Sequence, residues 1–237
     1  MINLNDNIIK DIQNKGSEYG KNTILDGIIN LELFYAAPIK ILFILKESYD
    51  KCGNKISHSD DMNDLDFDEI YNGKGRKTER GVSSIISCLN QNFTYNKFCN
   101  IIQNKDKTDL EIKEKIVNDL KSIAWINVNK FPGQTSSKDF QIKKWYFFWK
   151  DILNKQIDSI KPDVIIFGRT FYCFEKDLKK QLGESLIGPL GGLPYYYKNM
   201  KNNRLLIDSF HPSFRGSTKE FKRDYIDNIV KIIKNNR

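Results

Sequence analysis

Four stretches of this chain hold reactive side chains just where an apolar run gives way to polar residues. Lys46-Glu47-Ser48-Tyr49-Asp50 offers carboxylates and hydroxyls, and Asn127-Val128-Asn129-Lys130 offers carboxamides and an ammonium group. Gly168-Arg169-Thr170 adds a guanidinium, and His211-Pro212-Ser213-Phe214-Arg215 adds an imidazole, a hydroxyl and a second guanidinium. A carboxylate can position water or face a developing cation, and a neutral imidazole can donate to an oxygen that gathers negative charge. A carboxamide such as Asn127 carries both a donor and an acceptor, which reading the edge of a planar ligand requires. Lys130, Ser213, Arg169 and Arg215 are groups that hold phosphates. Each has an ordinary alternative: a solvated strand-end charge paired with Lys46 for Glu47, a turn cap for Asn127, a locally bonded ring for His211. His58 lacks such a context and reads as a loop residue.

The elements that would position these groups follow from hydrophobic pattern. Lys40 to Lys46, Ile123 to Val128, Asp163 to Phe167 and Arg204 to Asp208 are short apolar runs closed by polar residues, the pattern of parallel strands buried on both faces. Helical spacing separates them. Ile112, Ile116, Leu120 and Ile123 share one face, as do Ile142, Trp145, Trp149, Ile152, Leu153 and Ile157 in the segment from Phe140 to Ile160. Trp145 and Trp149 belong to that core-facing stripe. Ser217-Thr218-Lys219-Glu220 reads as a capping box opening a last helix that carries Phe221, Tyr225, Ile229 and Ile233 on one face. Asp50 to Lys77 is the longest irregular stretch, with a helix expected over Asp64 to Tyr71. The alternation predicts a three-layer α/β/α fold around a central four-stranded, mainly parallel sheet. Ligands of such sheets bind beyond the carboxyl ends of the strands, where the four reactive stretches lie.

The 237 residues fit a single domain, 1–237, with a helical N-terminal extension over about residues 1–38. The balance of 38 basic and 30 acidic side chains, a formal charge of +8, permits an anionic partner. Cys52, Cys88, Cys99 and Cys173 form no C-x-x-C pair, which argues against a zinc ribbon or an iron–sulfur run; reduced structural thiols are expected, with no metal and no organic cofactor. No run approaches the roughly 18 apolar residues of a membrane span, and the first residues lack the pattern of a secretory signal, so the expectation is a cytoplasmic protein. Neither G-x-S-x-G nor G-x-x-x-x-G-K-S/T occurs.

In order and position together, these motifs resemble the uracil-DNA glycosylase superfamily in its broad sense. Leu45-Lys46-Glu47-Ser48-Tyr49 stands where the family has a first-strand exit of the form G-Q-D-P-Y, G-E-x-P-G or G-x-N-P-G. Ile126-Asn127-Val128-Asn129-Lys130-Phe131-Pro132 stands at the second exit, and Phe210-His211-Pro212-Ser213 at the late H-P-S motif. Lys161 to Gly168 is similar to the strand before the family's third loop, so the resemblance runs from about residue 40 to the C-terminus. Lys46 replaces the family's glycine and Ser48-Tyr49 its following residue and proline, which implies a differently shaped first loop.

The resemblance implies a monofunctional DNA glycosylase that flips a nucleotide out of single- or double-stranded DNA, excises a pyrimidine and leaves an abasic site. Glu47, with Asp50 in reserve, is the implied carboxylate beside the sugar, and His211 the donor to the pyrimidine oxygen. Asn127 would read the base, while Ser48, Tyr49, Lys130, Gly168, Arg169, Ser213 and Arg215 would contact the rest of the nucleotide and its phosphates. Phe67, Tyr71 and Tyr49 are the candidates for stacking on the base. Uracil is the family default; the altered first loop also admits a damaged or hypermodified pyrimidine, including the modified cytosines of some phage genomes, for which the role would be defence rather than repair. The implied partner is DNA, the implied state a monomer. A different class, a DNA-binding protein that keeps the fold without catalysis, is separated from an enzyme by assaying abasic sites.

Overall fold

The computed structural model describes residues 6–49, 56–133, 137–182, 186–187, 194–199, 203–214, 216 and 218–237. In chain order the elements are α1 (Asp6–Glu18), β1 (Gly27–Ile28), α2 (Leu31–Ala36), β2 (Ile41–Tyr49), α3 (His58–Asp64), α4 (Phe67–Asn72), α5 (Lys77–Asn90), α6 (Tyr95–Gln103), a short 3-10 turn (Lys105–Lys107) and α7 (Leu110–Lys121). They continue as β3 (Ala124–Gly133), α8 (Asp139–Ile160), β4 (Val164–Gly168), α9 (Phe171–Leu182), β5 (Leu186–Ile187), β6 (Tyr195–Asn199), β7 (Arg204–Ser209) and α10 (Lys219–Asn236).

The strands form one sheet in the order β1-β3-β2-β4-β7-β6-β5. The four apolar runs read from the sequence are its adjacent central strands β3, β2, β4 and β7, and each neighbouring pair is parallel. The expected count of four strands is corrected: β1 adds antiparallel to β3, while β6 and β5 extend the other side antiparallel. These strands escaped the pattern for physical reasons. β1 and β5 have two residues each, too few to show a period, and β6 is a run of tyrosines with no apolar alternation.

The central strands read as continuous apolar runs because both faces are covered. Phe43 and Leu45 of β2, Ile166 of β4 and Ile207 of β7 face a core shared with α4, α5, α7 and α10. The alternate residues Leu42, Ile44, Ile165 and Leu206 face the other core, with Ile8 and Ile12 of α1 and the Ile142, Tyr146, Trp149 and Leu153 stripe of α8. Trp149 is core, as its stripe predicts, and Trp145 packs at the edge of the same cluster.

The expected helices form with ends shifted by a few residues. Thr218, not Ser217, caps α10, its side chain accepting from the Phe221 amide, and Ser217 itself lies outside the described residues. Within the stretch from Asp50 to Lys77 the helix expected over Asp64 to Tyr71 forms as α4, shifted toward Asn72, and α3 is a second short helix that was not expected. Ser57 caps α3, and Asp66 with Glu69 forms a reciprocal capping box on α4. Three of the four cysteines are described, and Cys88, Cys99 and Cys173 are free thiols. Among the described residues no helix is long and apolar enough to cross a membrane, and no His/Cys/Asp/Glu cluster could hold a metal ion.

Candidate functional site

Beyond the carboxyl ends of β2, β3, β4 and β7 lies a cavity of about 660 Å³. Every exit contributes: Leu45 to Tyr49 from β2, Trp125 and Asn127 from β3, Arg169 after β4, and His211 with Ser213 after β7. The cavity lies within the size range of small-molecule sites. Its far wall is the start of α5, where Lys74, Gly75, Arg76, Thr78 and Glu79 face it, together with His58 at the start of α3.

Alternation along β3 decides which groups reach the cavity. Trp125, Asn127 and Asn129 are two apart and share a face, so the strand presents two carboxamides in a row. Asn127 is 2% exposed. Its Oδ1 accepts from Trp125 Nε1 at 3.4 Å, which orients the amide, and its Nδ2 has no hydrogen-bond partner. An unpartnered buried donor costs about 1–3 kcal/mol, so this amide is kept in a state that a ligand acceptor would relieve. Asn129 turns the same way and donates from Nδ2 to Glu47 Oε2 at 3.1 Å, while its Oδ1 accepts from the Phe131 amide. Ser137 donates to the other oxygen, Glu47 Oε1. Glu47 is thus aimed by two neutral donors. Lys46 is not its ion-pair partner: that ammonium bonds Asp139 at the start of α8, 2.7 Å away.

His211 sits in a turn that two glycines allow to approach closely. A Cβ on Gly81 of α5 would lie 2.0 Å from the Pro212 carbonyl oxygen, and one on Gly168 would lie 2.3 Å from a Leu45 methyl and 2.9 Å from Pro212 Cδ. Gly168 was expected to contact substrate; its place is behind the wall, seating the His-Pro-Ser turn. The Ser213 amide donates to His211 Nδ1 at 3.3 Å, and Ser213 Oγ lies 2.8 Å from the same nitrogen. A nitrogen that accepts carries no proton, so the neutral ring holds its hydrogen on Nε2. Burial, reinforced by the Lys46 charge, pulls the His211 pKa down to about 4. At neutral pH His211 is therefore an uncharged Nε2–H donor.

Arg169 adopts a left-handed conformation, φ 61°, rare for a side chain with a Cβ, and lies 4.0 Å from Asp139. Arg76 is held by Asp61 and Glu79, each at 3.3 Å, and Lys74 is exposed beside it. Among the described residues the basic groups lining the cavity are Lys46, Lys74, Arg76 and Arg169, so of the expected phosphate-binding set Arg169 and Ser213 line it. Lys130 is the main correction: it is 0% exposed and its Nζ bonds Asp26 at 2.7 Å. One residue beyond Asn129, it points through the sheet to the α8 side, where Gln156 also donates to Asp26. Burial lowers the Lys130 pKa, with Asp26 acting in the opposite sense.

Of the stacking candidates only Tyr49, 55% exposed, lines the cavity. Phe67 and Tyr71 pack into the core, and the Tyr71 hydroxyl bonds Ser83. Asp50 and Arg215 lie outside the described residues. Sequence reasoning missed Asn129, Ser137, Trp125, His58 and the start of α5. Asn129 was within reach, because it shares alternation with Asn127; Ser137 and His58 carry no periodic signal. His58 is not a loop residue but the buried first residue of α3.

The fold and cavity define an α/β protein with a polar, partly basic cavity at the carboxyl ends of its parallel strands. No protein-family model matches the chain, and no curated protein matches it in sequence.

Proposed function

We propose that the protein is a monofunctional DNA glycosylase of the uracil-DNA glycosylase kind, which flips a pyrimidine nucleotide into this cavity and hydrolyses its glycosidic bond. What carries the reading is that Glu47, Asn127 and His211, taken from three different strand exits, line one cavity. In this mechanism the bond from the sugar carbon to the base nitrogen breaks with its electron pair leaving on the base. Negative charge gathers on the pyrimidine oxygen, which the His211 Nε2–H stabilises without giving up its proton. The sugar becomes oxocarbenium-like, and Glu47, held by Asn129 and Ser137, faces that cation and directs water to it. Water oxygen then bonds the sugar carbon, and a proton passes to the departing base.

Asn127 bears on the choice of base. With its Oδ1 engaged by Trp125, it offers the ligand a donor only. That favours a base with an acceptor at the position it meets, and it suits a modified cytosine at least as well as uracil. Oligonucleotides bearing uracil or individual modified cytosines, incubated with the protein, should release free base detectable by mass spectrometry and leave alkali-labile abasic sites. DNA that is bound without base release from any substrate would replace the enzyme with a non-catalytic binding protein.

A further inference from the structure

Helix α8 begins at the edge of the cavity and carries aromatic rings on its outward face. Ser137, just before the helix, lines the cavity, and the carboxylate of Asp139 bonds Nζ of the cavity residue Lys46 at 2.7 Å. One residue further on, Phe140 is 69% exposed, and Phe147 is 63% exposed. Seven residues make close to two helical turns, so the two share a face, about 10 Å apart along the axis. Lys143 and Lys144 fall between them on that face and are exposed, as is Lys138. Tyr146 meets the Phe147 ring edge-on with centroids 5.6 Å apart, and its own hydroxyl bonds Asp177, which steadies that ring. A single exposed apolar side chain is ordinary, but two phenyl rings with lysines between them form a patch. Farther along α8 the lysines are paired, Lys150 with Asp177 at 2.9 Å and Lys155 with Asp11 at 2.6 Å. Among the described residues Lys138, Lys143 and Lys144 have no carboxylate partner, so positive charge collects at the cavity end of the helix. The exposed Asp151, one turn beyond Phe147, ends the basic stretch.

We propose that this face of α8 is a docking track for single-stranded DNA, on which Phe140 and Phe147 stack bases beside the nucleotide held in the cavity while Lys138, Lys143 and Lys144 meet the phosphates. The two kinds of group together select the partner. An exposed ring stacks on the flat face of a base, and a base offers that face only where it is not already stacked on its neighbours, which excludes an intact duplex. Every base has such a face, so the track is indifferent to sequence. Phosphates between the bases supply the charge that the lysines complement. A second copy of this chain fits the face less well, since it brings its own surplus charge of +8 to a basic patch. The inference rests on the reading of the cavity as a DNA site, and it adds a preference for unpaired strands.

Fluorescence anisotropy with a fluorescein-labelled oligothymidylate, alone or annealed to its complement, reads the track separately from excision. Phe140→Ala and Phe147→Ala should each weaken binding to the single strand by about fivefold or more, and to the duplex by less than about twofold. Phe140→Trp, which keeps a stacking face, should hold the native affinity. Replacing Lys143 and Lys144 together by Ala should flatten the slope of log affinity against log salt on the single strand by about 1.4. Both rings are exposed, so urea midpoints should stay native, which separates a lost contact from a lost fold. Unchanged single-strand affinity in both alanine variants, or an equal loss on the two DNAs, overturns the track, and release of base from modified substrates then still stands or falls by itself. A single-strand preference that depends on the phenylalanines, in a protein that releases no base from any substrate, keeps the track and removes the excision chemistry instead. A native dimer that Phe140→Ala with Phe147→Ala turns into monomers of unchanged DNA affinity would give the face to a second copy and overturn the proposal.

Discussion

The two faces of β3 carry polar side chains to opposite ends. On the α8 side, the Asp26 carboxylate collects Lys130 Nζ at 2.7 Å, Gln156 Nε2 at 3.0 Å and the backbone amide of Asn127 at 2.7 Å. On the cavity side, the side chain of the same Asn127 leaves its Nδ2 without a partner. Lys130 and Asn127 look equally functional as sequence, since both follow an apolar strand run. Their surroundings separate them: the buried Lys130 charge has its counter-charge in place and holds the strand, whereas the buried Asn127 donor has no partner among the described residues. The Asp26 bridge also joins the two faces, because it fixes the backbone from which Asn127 and Asn129 project.

Removing one half of the buried pair tests that division most severely. Asp26→Ala leaves the Lys130 ammonium buried and uncompensated and should lower the unfolding free energy in urea by about 3–5 kcal/mol. The double variant Asp26→Asn, Lys130→Met should recover a large part of that loss, since no charge is then stranded. A loss under about 1 kcal/mol in the single variant would show that the pair is not what holds β3.

On the cavity side the loss should fall on turnover. His211→Ala should slow base release by about 10²–10³, the scale for one donor to a developing oxyanion, while DNA affinity and the urea midpoint change little. Glu47→Gln should also slow release far more than it weakens binding. If Glu47→Ala keeps its rate and Asp50→Ala loses it, the carboxylate role belongs to Asp50. The same division should appear in salt dependence. Arg169→Ala should flatten the slope of log affinity against log salt by about 1, as one phosphate contact is lost, whereas Lys130→Met should leave the slope unchanged. A flattened slope in Lys130→Met would put that residue back at the rim.

How much of this was legible depends on whether a residue's fate is set locally. The strands β2, β3, β4 and β7 were readable because burial on both faces imposes unbroken apolar runs, and strand-end chemistry then located Glu47, Asn127, Arg169 and His211. Lys130 was misplaced because a one-residue step reverses the face, and its partner Asp26 lies more than a hundred residues earlier. Phe67 and Tyr71 were offered as stacking groups, yet α4 packs them inward against α5 and α7, a tertiary choice that aromatic residue type does not encode. The His58–Ser48 contact was equally illegible, since it brings the start of a short helix to a strand exit across a stretch with no period.

The last expected effect concerns pH, and it sets His211 against Asp208, which lies three residues before it near the end of β7. Burial, with Glu175 adding to it and Arg169 opposing, raises the Asp208 pKa to about 6. Between about pH 6.5 and pH 4 the unfolded chain binds a proton at His211 that the folded chain refuses, so acidification through that window costs stability. Asp208 has the opposite sign. Between its unfolded value of 3.8 and about 6 the folded carboxyl keeps a proton that the unfolded one loses, so its contribution favours folding at the acid end and is lost as pH rises through 6. Relative to the native protein, His211→Gln should therefore gain stability as pH falls from 6.5 to 4, while Asp208→Asn should be favoured near pH 7 and lose that advantage by pH 4. Urea midpoints of the three proteins at half-unit pH steps measure both trends. Parallel curves for either variant would mean that its side chain titrates alike in the folded and unfolded chains, and for His211 that burial does not hold the ring neutral below pH 6.5.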